Sequence, residues 1–191
     1  MEELRSHEEN GTWKLVDPPP GRKPVGCKWV YKIKRNAAGE AVKYKARLVA
    51  QGFNQKYGQD YDEVFAPVIK QTTLRTLLAI ASKRNLILKH FDVKTAYLYG
   101  TLEEELYMRQ PGGFEVAGQE RKVCKLVKSI YGLKQSARCW NHRLHAVLLG
   151  LKFKQSRADP CLYTKVVNGR RIYLLVYVDD ILVGCDSEEE I

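Results

Sequence analysis

Alternation of hydrophobic and polar residues first becomes regular near residue 29. Trp29, Tyr31 and Ile33 alternate with lysines, and alternation resumes over residues 42–48 after a turn-rich segment at residues 35–40. Side chains on a strand point alternately to its two faces, so this pattern predicts a β-hairpin. Because lysines fill the intervening positions, one face of the hairpin should be basic.

Other segments show the three-to-four-residue hydrophobic spacing of an amphipathic helix. One is preceded by Thr72 and Thr73, which can cap a helix, and ends near Asn85. Another begins around residues 135–137 and ends at Gly150. These patterns predict two helices, and a short acidic helix is expected near the N-terminus.

The remaining regular segments are apolar runs short enough to be strands. Residues 86–91 form one such run and lead directly into Asp92. Runs at residues 161–166, 172–178 and 181–185 predict a three-stranded antiparallel meander. Helices combined with antiparallel strands indicate the α+β class, with helices packed on one face of an antiparallel sheet.

Composition limits the classes of protein further. The chain has 191 residues, of which 45% are hydrophobic, enough to bury a core and exclude wholesale disorder. Its apolar runs are shorter than the roughly 20 residues needed to cross a bilayer, and its acidic N-terminus does not look like a signal peptide, so we expect an intracellular protein. A formal charge of +10 favours an anionic partner, most commonly nucleic acid, although a solvated basic surface is an equal alternative.

Five cysteines are spread along the chain without a C-x-x-C pair. An odd number at these wide spacings argues against a disulfide framework and against a zinc site. The sequence therefore predicts reduced thiols in the core.

Two adjacent carboxylates stand between apolar strands in the segment Tyr177-Val178-Asp179-Asp180. Acidic neighbours at such a position are costly unless a cation holds them, and an antiparallel neighbour could bring Asp92 beside them. Oxygen ligands favour Mg²⁺ or Mn²⁺, and three carboxylates can hold two such ions about 3.5–4 Å apart for phosphoryl transfer. The alternative is an ordinary hairpin turn.

The motifs around these carboxylates resemble the reverse transcriptase of copia-type (pseudoviral) long-terminal-repeat retrotransposons, the fingers and palm portion of a Pol polyprotein. The resemblance covers about residues 13–187. Its motifs, in the family's order, are Trp29-Val30-Tyr31-Lys32, Lys45 to Phe53, Tyr61 to Val68, Phe91 to Gly100, Tyr107 to Pro111, Tyr131 to Ser136, Asp159 to Tyr163 and Tyr177 to Asp180.

The resemblance implies a right-hand polymerase fold with fingers and an antiparallel palm sheet packed on helices. It suggests a lead-in at residues 1–25, a fingers hairpin and helix at residues 26–85, and a palm at residues 86–191. The chain ends just after the aspartate hairpin, so the thumb and ribonuclease H regions of the longer polyprotein are expected to be absent.

The resemblance also assigns roles to individual residues. Asp92, Asp179 and Asp180 are implied to be catalytic and, together with Val93, to form a site for two Mg²⁺ ions, with Mn²⁺ as a substitute. Asp92 and Asp179 are implied to contact both ions, and Asp180 has a weaker supporting role. Residues implied to bind the incoming deoxynucleotide are Lys45, Arg47, Val93, Lys94, Thr95, Ala96, Tyr97 and Gln135. Among these, Lys45 and Arg47 grip the triphosphate, main-chain N–H groups around Val93 to Tyr97 lie under it, and Tyr97 excludes ribonucleotides.

The expected function is RNA-directed DNA synthesis, in which a primer 3′-hydroxyl attacks a deoxynucleotide. Its partners would be an RNA template, an RNA/DNA primer duplex, deoxynucleotides and the other Pol regions, in a cytoplasmic particle or the nucleus, and no membrane. One alternative is a catalytically inactive nucleic-acid-binding remnant of such an element. Another is a different two-metal phosphoryl-transfer enzyme, such as a cyclase or nuclease.

Overall fold

Most of the helices and strands lie where the hydrophobic periodicity predicts them. The computed structural model describes residues 1–191 and is a mixed α/β structure with three α-helices and antiparallel sheets. The helices are α1 Glu2–Glu9, α2 Gln71–Arg84 and α3 Ser136–Gly150. The strands are β1 Trp13–Val16, β2 Cys27–Arg35, β3 Ala41–Ala50, β4 Ile87–Asp92, β5 Thr101–Met108, β6 Val123–Lys128, β7 Lys154–Gln155, β8 Leu162–Val167, β9 Arg170–Tyr177 and β10 Asp180–Cys185.

The chain forms two compact units, each built from two separate stretches. The first unit contains Met1–Phe65 and Tyr97–Trp140, and the second contains Ala66–Ala96 and Asn141–Ile191. These limits differ from the sequence-based division after residues 25 and 85. The sequence-based division into lead-in, fingers and palm stays a prediction.

A three-stranded antiparallel sheet with the order β1-β6-β5 lies in the first unit. Its apolar side chains form the main core together with the end of β3. The buried members of this core are Val25, Leu48, Ala50, Leu98, Leu102, Leu106, Met108, Cys124, Leu126, Ile130, Leu133 and Cys139. Burial of this apolar surface holds the first unit together.

The hairpin β2–β3 of the first unit has two unlike faces. Tyr31 is opposite Ala46 and Ile33 is opposite Tyr44, so these residues share the apolar face. The other face is basic because Lys32 lies opposite Lys45 and Lys34 lies opposite Lys43, while Arg47 on the same face pairs with Val30. The prediction of a hairpin with one basic face is confirmed.

The second unit contains a five-stranded antiparallel sheet with the order β4-β10-β9-β8-β7. Strands β8, β9 and β10 are the predicted meander, and β4 pairs with β10 as expected. Helix α2 ends at the predicted place because Asn85 adopts the left-handed conformation at its C-cap.

The prediction was wrong about the start of α2, which follows Lys70 without any side-chain capping bond. Thr73 instead bonds to the buried carboxylate of Asp159, which also accepts the N–H groups of Lys70 and Cys161 at 3.0 and 2.9 Å. Burial alone would raise the pKa of Asp159, but these hydrogen bonds hold it below the ordinary value. The threonine therefore anchors the loop at residue 159 rather than the helix.

All five cysteines are free thiols and four of them are buried, as the sequence predicted. Burial raises the pKa of Cys124 to about 12 and those of Cys139 and Cys161 to about 11, so these thiols stay protonated at neutral pH. None of the helices has the length and apolar character that a membrane-spanning helix needs.

Candidate active site

The aspartate hairpin of the second unit joins β9 to β10 by a two-residue loop. Tyr177 pairs with Asp180, so the loop residues are Val178 and Asp179. The sequence prediction put both aspartates in the turn, whereas Asp180 is the first residue of a strand. Val178 has a φ of +55°, a conformation that is strained for a β-branched side chain.

Asp92 and Asp180 are direct partners across β4 and β10. Residues opposite each other in an antiparallel pair have Cα atoms about 4.5–5.5 Å apart and point to the same face. The two segments remain hydrogen-bonded one residue beyond this pair, since the Val93 N–H donates to the Asp179 carbonyl at 2.8 Å. The expectation that a distant strand brings Asp92 beside the hairpin is therefore met.

His90 is a neighbour of these carboxylates that the sequence analysis missed. Its Nε2 lies 2.8 Å from Asp180 Oδ1, and both side chains are about half exposed. A sequence signal did exist, because His90 precedes Asp92 by two residues on a strand and so must share its face. The imidazole is the one charged or polar side chain in contact with the Asp180 carboxylate.

The donor set fits Mg²⁺ in chemical type, since Asp92, Asp179 and Asp180 offer oxygen atoms of the kind that hard cations prefer. Their backbone positions are close, as the register of β4 and β10 and the Val93 hydrogen bond establish. The side chains, however, form no group of three or more His, Cys, Asp or Glu that could hold a metal ion. The expected cluster of three convergent carboxylates is thus present in the backbone but not in the side-chain arrangement.

The predicted nucleotide-binding residues of the second unit, Val93 to Ala96, directly follow Asp92. The Val93 N–H is already used by Asp179, whereas the N–H groups of Lys94 and Thr95 donate to no acceptor in the protein. Thr95 has a φ of +53°, and its hydroxyl bonds to the Lys94 carbonyl at 2.7 Å. Ala96 is buried. Two of the implied N–H donors therefore remain available to an anion.

In the first unit, an aromatic side chain joins two predicted site residues. The Arg47 guanidinium lies over the Tyr131 ring, 5.2 Å from its centroid. The same ring meets Tyr97 edge to face, with centroids 4.9 Å apart. Tyr131 was not singled out from the sequence, because nothing in the local pattern shows that residues 47, 97 and 131 meet.

The backbone around Tyr131 is fixed by close packing. Ala50 N–H donates to the Tyr131 carbonyl at 2.8 Å, which ties this turn to the end of β3. Gly132 follows with a φ of +90°, and a Cβ there would lie 2.2 Å from the Ala50 carbonyl oxygen. Only glycine fits at this approach, so the turn has little freedom to shift.

Gln135, which the resemblance implies as a nucleotide contact, does not present its side chain to solvent. The residue is fully buried. Its Oε1 accepts the Gln55 amide at 2.9 Å and its Nε2 donates to the Asp60 carbonyl at 2.9 Å. Gln55 Oε1 in turn accepts the Lys134 N–H. The side chain is part of a buried polar network that binds a loop to the start of α3.

Lys45 and Arg47 are two residues apart on β3, so they share the basic face of the hairpin, as predicted. Lys45 stands opposite Lys32, and the next pair outward joins Lys34 to Lys43. Like charges placed directly across an antiparallel pair repel each other, so this face favours a polyanion.

Comparison with known proteins agrees with the resemblance drawn from the motifs. Residues 10–191 match the reverse transcriptase (RNA-dependent DNA polymerase) family. The retrovirus-related Pol polyprotein from transposon TNT 1-94 of Nicotiana tabacum is 49% identical over 96% of this chain and 14% of its own length. The corresponding polyprotein from transposon RE1 of Arabidopsis thaliana is 44% identical over 95% of the chain and 12% of its own length.

A match over nearly the whole chain places it in the reverse transcriptase (RNA-dependent DNA polymerase) family. Its relatives are Pol polyproteins of copia-type transposons, so the resemblance deduced from the motifs is confirmed. The chain spans 12–14% of the length of the plant relatives named above.

Proposed function

We propose that this chain provides the nucleotidyl-transfer chemistry of RNA-directed DNA synthesis within a Pol polyprotein. The observation that supports this most strongly is the pairing of Asp92 with Asp180 at the aspartate hairpin. Two acids drawn from distant segments and placed side by side carry a repulsion that a structural hairpin does not need.

Asp92 and Asp179 are the residues that would hold two divalent ions, with the Val93 carbonyl beside them and Asp180 in support. Such ions, when bound, supply positive charge that activates a primer 3′-hydroxyl and stabilises the leaving pyrophosphate. The N–H groups of Lys94 and Thr95 would donate to phosphate oxygens, as unpaired main-chain donors in turns do for other anions. The buried Ala96 supports this turn from within.

Arg47 and Lys45 would bind the triphosphate of the incoming nucleotide, since two cations on one face of a strand lie about 7 Å apart and suit a flexible polyanion. Tyr97 would exclude the ribose 2′-hydroxyl, and Tyr131 would hold both Tyr97 and Arg47 in place. Gln135 acts through the loop that it anchors. In this scheme the hairpin β2–β3 corresponds to fingers and the five-stranded sheet to palm.

Primer extension on an RNA template tests the proposal. The wild-type chain should incorporate deoxynucleotides in the presence of Mg²⁺ or Mn²⁺, while Asp92→Asn and Asp179→Asn should each lower the rate by about a thousandfold or more, since removing the carboxylate removes the counter-charge for the ions. Asp186→Asn is the matched control, because Asp186 is an exposed acid near the far end of β10 that contacts only Arg170, at the surface, and the thiol of its neighbour Cys185.

Equal activity of Asp179→Asn and the control would contradict the proposal. If no variant extends a primer but all of them bind RNA, the chain is a nucleic-acid-binding remnant. Extension with equal use of deoxynucleotides and ribonucleotides would remove the role of Tyr97 while leaving the catalytic assignment intact.

A further inference from the structure

His90 lies beside the catalytic candidates of the second unit and has no role in the scheme above. It precedes Asp92 by two residues on β4 and is opposite Leu182, which follows Asp180 by two residues on β10. These four side chains therefore share one face of the sheet. His90 is on the side of Asp180 that lies away from the hairpin turn.

The imidazole of His90 reaches Asp180 diagonally across the two strands. Its Nε2 lies 2.8 Å from Asp180 Oδ1. Diagonal neighbours on one face of a sheet, about 7–8 Å apart, are within reach of aromatic side chains. An ionised carboxylate only accepts hydrogen bonds, so Nε2 carries the proton and donates it to Asp180.

The other two acids of the site have no such partner. No ion pair of the protein involves the carboxylates of Asp92 or Asp179. Asp92 and Asp180 are direct partners across the strands, where like charges repel each other. A donor that draws Asp180 towards His90 relieves part of this repulsion and leaves Asp92 able to meet an ion.

This contact accounts for the difference between the backbone and the side chains of the site. Strand register brings Asp92 beside Asp180, yet the side chains form no group of three or more that could hold a metal ion. Affinity for a hard cation depends on the number of charged ligands. A carboxylate held back by a hydrogen bond lowers that number while the acid itself stays in place.

We propose that His90 is a positioning residue that holds the Asp180 carboxylate out of direct contact with the ions. Asp92 and Asp179 are then the two carboxylates that bind them. This role rests on the proposed function, which supplies the ions. His90 touches neither substrate nor ion in this arrangement and acts through Asp180.

The test compares wild type with His90→Ala, with His90→Gln, and with His90→Ala combined with Asp180→Ala. Glutamine places an amide N–H as many bonds from Cβ as histidine places Nε2, so His90→Gln keeps a donor. His142→Ala is the matched control, because His142 is an exposed histidine of α3 in the same unit. Binding of Mn²⁺ is measured from the EPR signal of the free ion, and kcat is measured by primer extension.

His90→Ala should bind Mn²⁺ about tenfold more tightly than wild type, because the released Asp180 adds a third charged ligand. It should also extend primers about tenfold more slowly, because the ions are then held in a different geometry. His90→Gln and His142→Ala should stay close to wild type in both quantities. Adding Asp180→Ala to His90→Ala should abolish the gain in affinity. A variant that merely folds poorly would lose affinity and rate together.

A second measurement needs neither an ion nor activity. Long-range proton–nitrogen NMR spectra of the metal-free protein, recorded at a single pH, identify which ring nitrogen of His90 carries the proton. In wild type this should be Nε2. Its resonance should shift in Asp180→Ala but not in Asp186→Ala, since Asp186 lies beyond the far end of β10.

An Mn²⁺ affinity of His90→Ala equal to or below that of wild type would overturn the role of His90, and so would a gain that survives the loss of Asp180. A His90 ring that does not respond to Asp180→Ala would overturn it as well, because the two side chains would then not be bonded in solution. The proposed function fails separately, if Asp92→Asn binds Mn²⁺ like wild type. The NMR comparison would in that case still decide whether His90 holds Asp180.

Discussion

The candidate nucleotide residues of the first unit and the candidate catalytic residues of the second are held in different ways. Side-chain contacts join Arg47 to Tyr131 and Tyr131 to Tyr97. Asp92 and Asp180 are instead positioned by the register of two strands, and the Asp180 side chain is 47% exposed with His90 as its neighbour. Contacts between side chains position the candidate nucleotide residues, whereas hydrogen bonding between strands positions the candidate catalytic residues.

The proposed roles of the two groups would explain this difference. An aromatic ring that discriminates between two sugars must resist displacement, because an error of about 1 Å changes whether a hydroxyl fits. Carboxylates that share a cation repel one another in its absence, so contacts between the acids cannot fix them. Strand register can, since it sets the Cα positions and leaves the side chains free to adjust.

The largest effect on stability is expected from loss of the buried hydrogen-bond network around Gln135 in the first unit. Gln135→Ala removes hydrogen bonds to Gln55 and to the Asp60 carbonyl in a fully buried site. Buried polar groups left without partners cost about 1–3 kcal/mol each, so we expect the free energy of unfolding to fall by about 2–3 kcal/mol. Chemical denaturation measures this change.

Gln59→Ala is the matched control, because Gln59 is an exposed glutamine of the same loop and its change should lie within about 0.5 kcal/mol of wild type. If the two variants were equally stable, the network around Gln135 would contribute nothing to the fold. The predicted nucleotide contact of Gln135 would then be the better explanation of its presence.

Most of the second unit could be predicted from sequence because its signals are local. The meander β8–β9–β10 joins successive strands by short turns, and each strand is rich in apolar residues. Asp92 could be placed beside the hairpin because few other apolar strands were available as neighbours. The exact start of β10 was missed, since a sequence of two aspartates does not show which one lies in the turn.

The central sheet of the first unit was not predicted. Strand β5 carries three successive glutamates at residues 103–105, which hide its alternation, and β1 has only four residues. The order β1-β6-β5 also pairs segments more than 100 residues apart in the case of β1 and β6. Local periodicity carries no information about such pairing, and the contact of Tyr131 with residues 47 and 97 was missed for the same reason.

A smaller effect is expected from the ring that joins the nucleotide residues. Tyr131→Leu removes both the edge-to-face contact with Tyr97 and the stacking surface for Arg47. An aromatic pair contributes about 0.5–1.5 kcal/mol, so discrimination against ribonucleotides should weaken by about two- to tenfold. The measurement is the ratio of kcat/KM for a deoxynucleotide to that for its ribonucleotide in primer extension.

Tyr131→Phe keeps the ring and is the control for this change. It should discriminate like wild type, because the two contacts involve the ring rather than its hydroxyl. Unchanged discrimination in Tyr131→Leu would show that Tyr97 is held by other neighbours, and the contrast between the two units would lose its functional meaning.

The smallest effect is expected at the turn of the aspartate hairpin. Val178 holds a φ of +55°, which costs a β-branched residue of order 1–3 kcal/mol, whereas glycine adopts it freely. Glycine loses more conformational entropy on folding, so Val178→Gly should stabilise the chain by only about 1 kcal/mol or less.

Val166→Gly, at an exposed position of β8 with ordinary strand geometry, should instead destabilise it by about 1 kcal/mol. Opposite signs in thermal denaturation would show that Val178 is under backbone strain in the hairpin that carries Asp179. If both variants lost stability equally, Val178 would be an ordinary strand residue in energetic terms, and backbone geometry alone would not explain how the carboxylates are positioned.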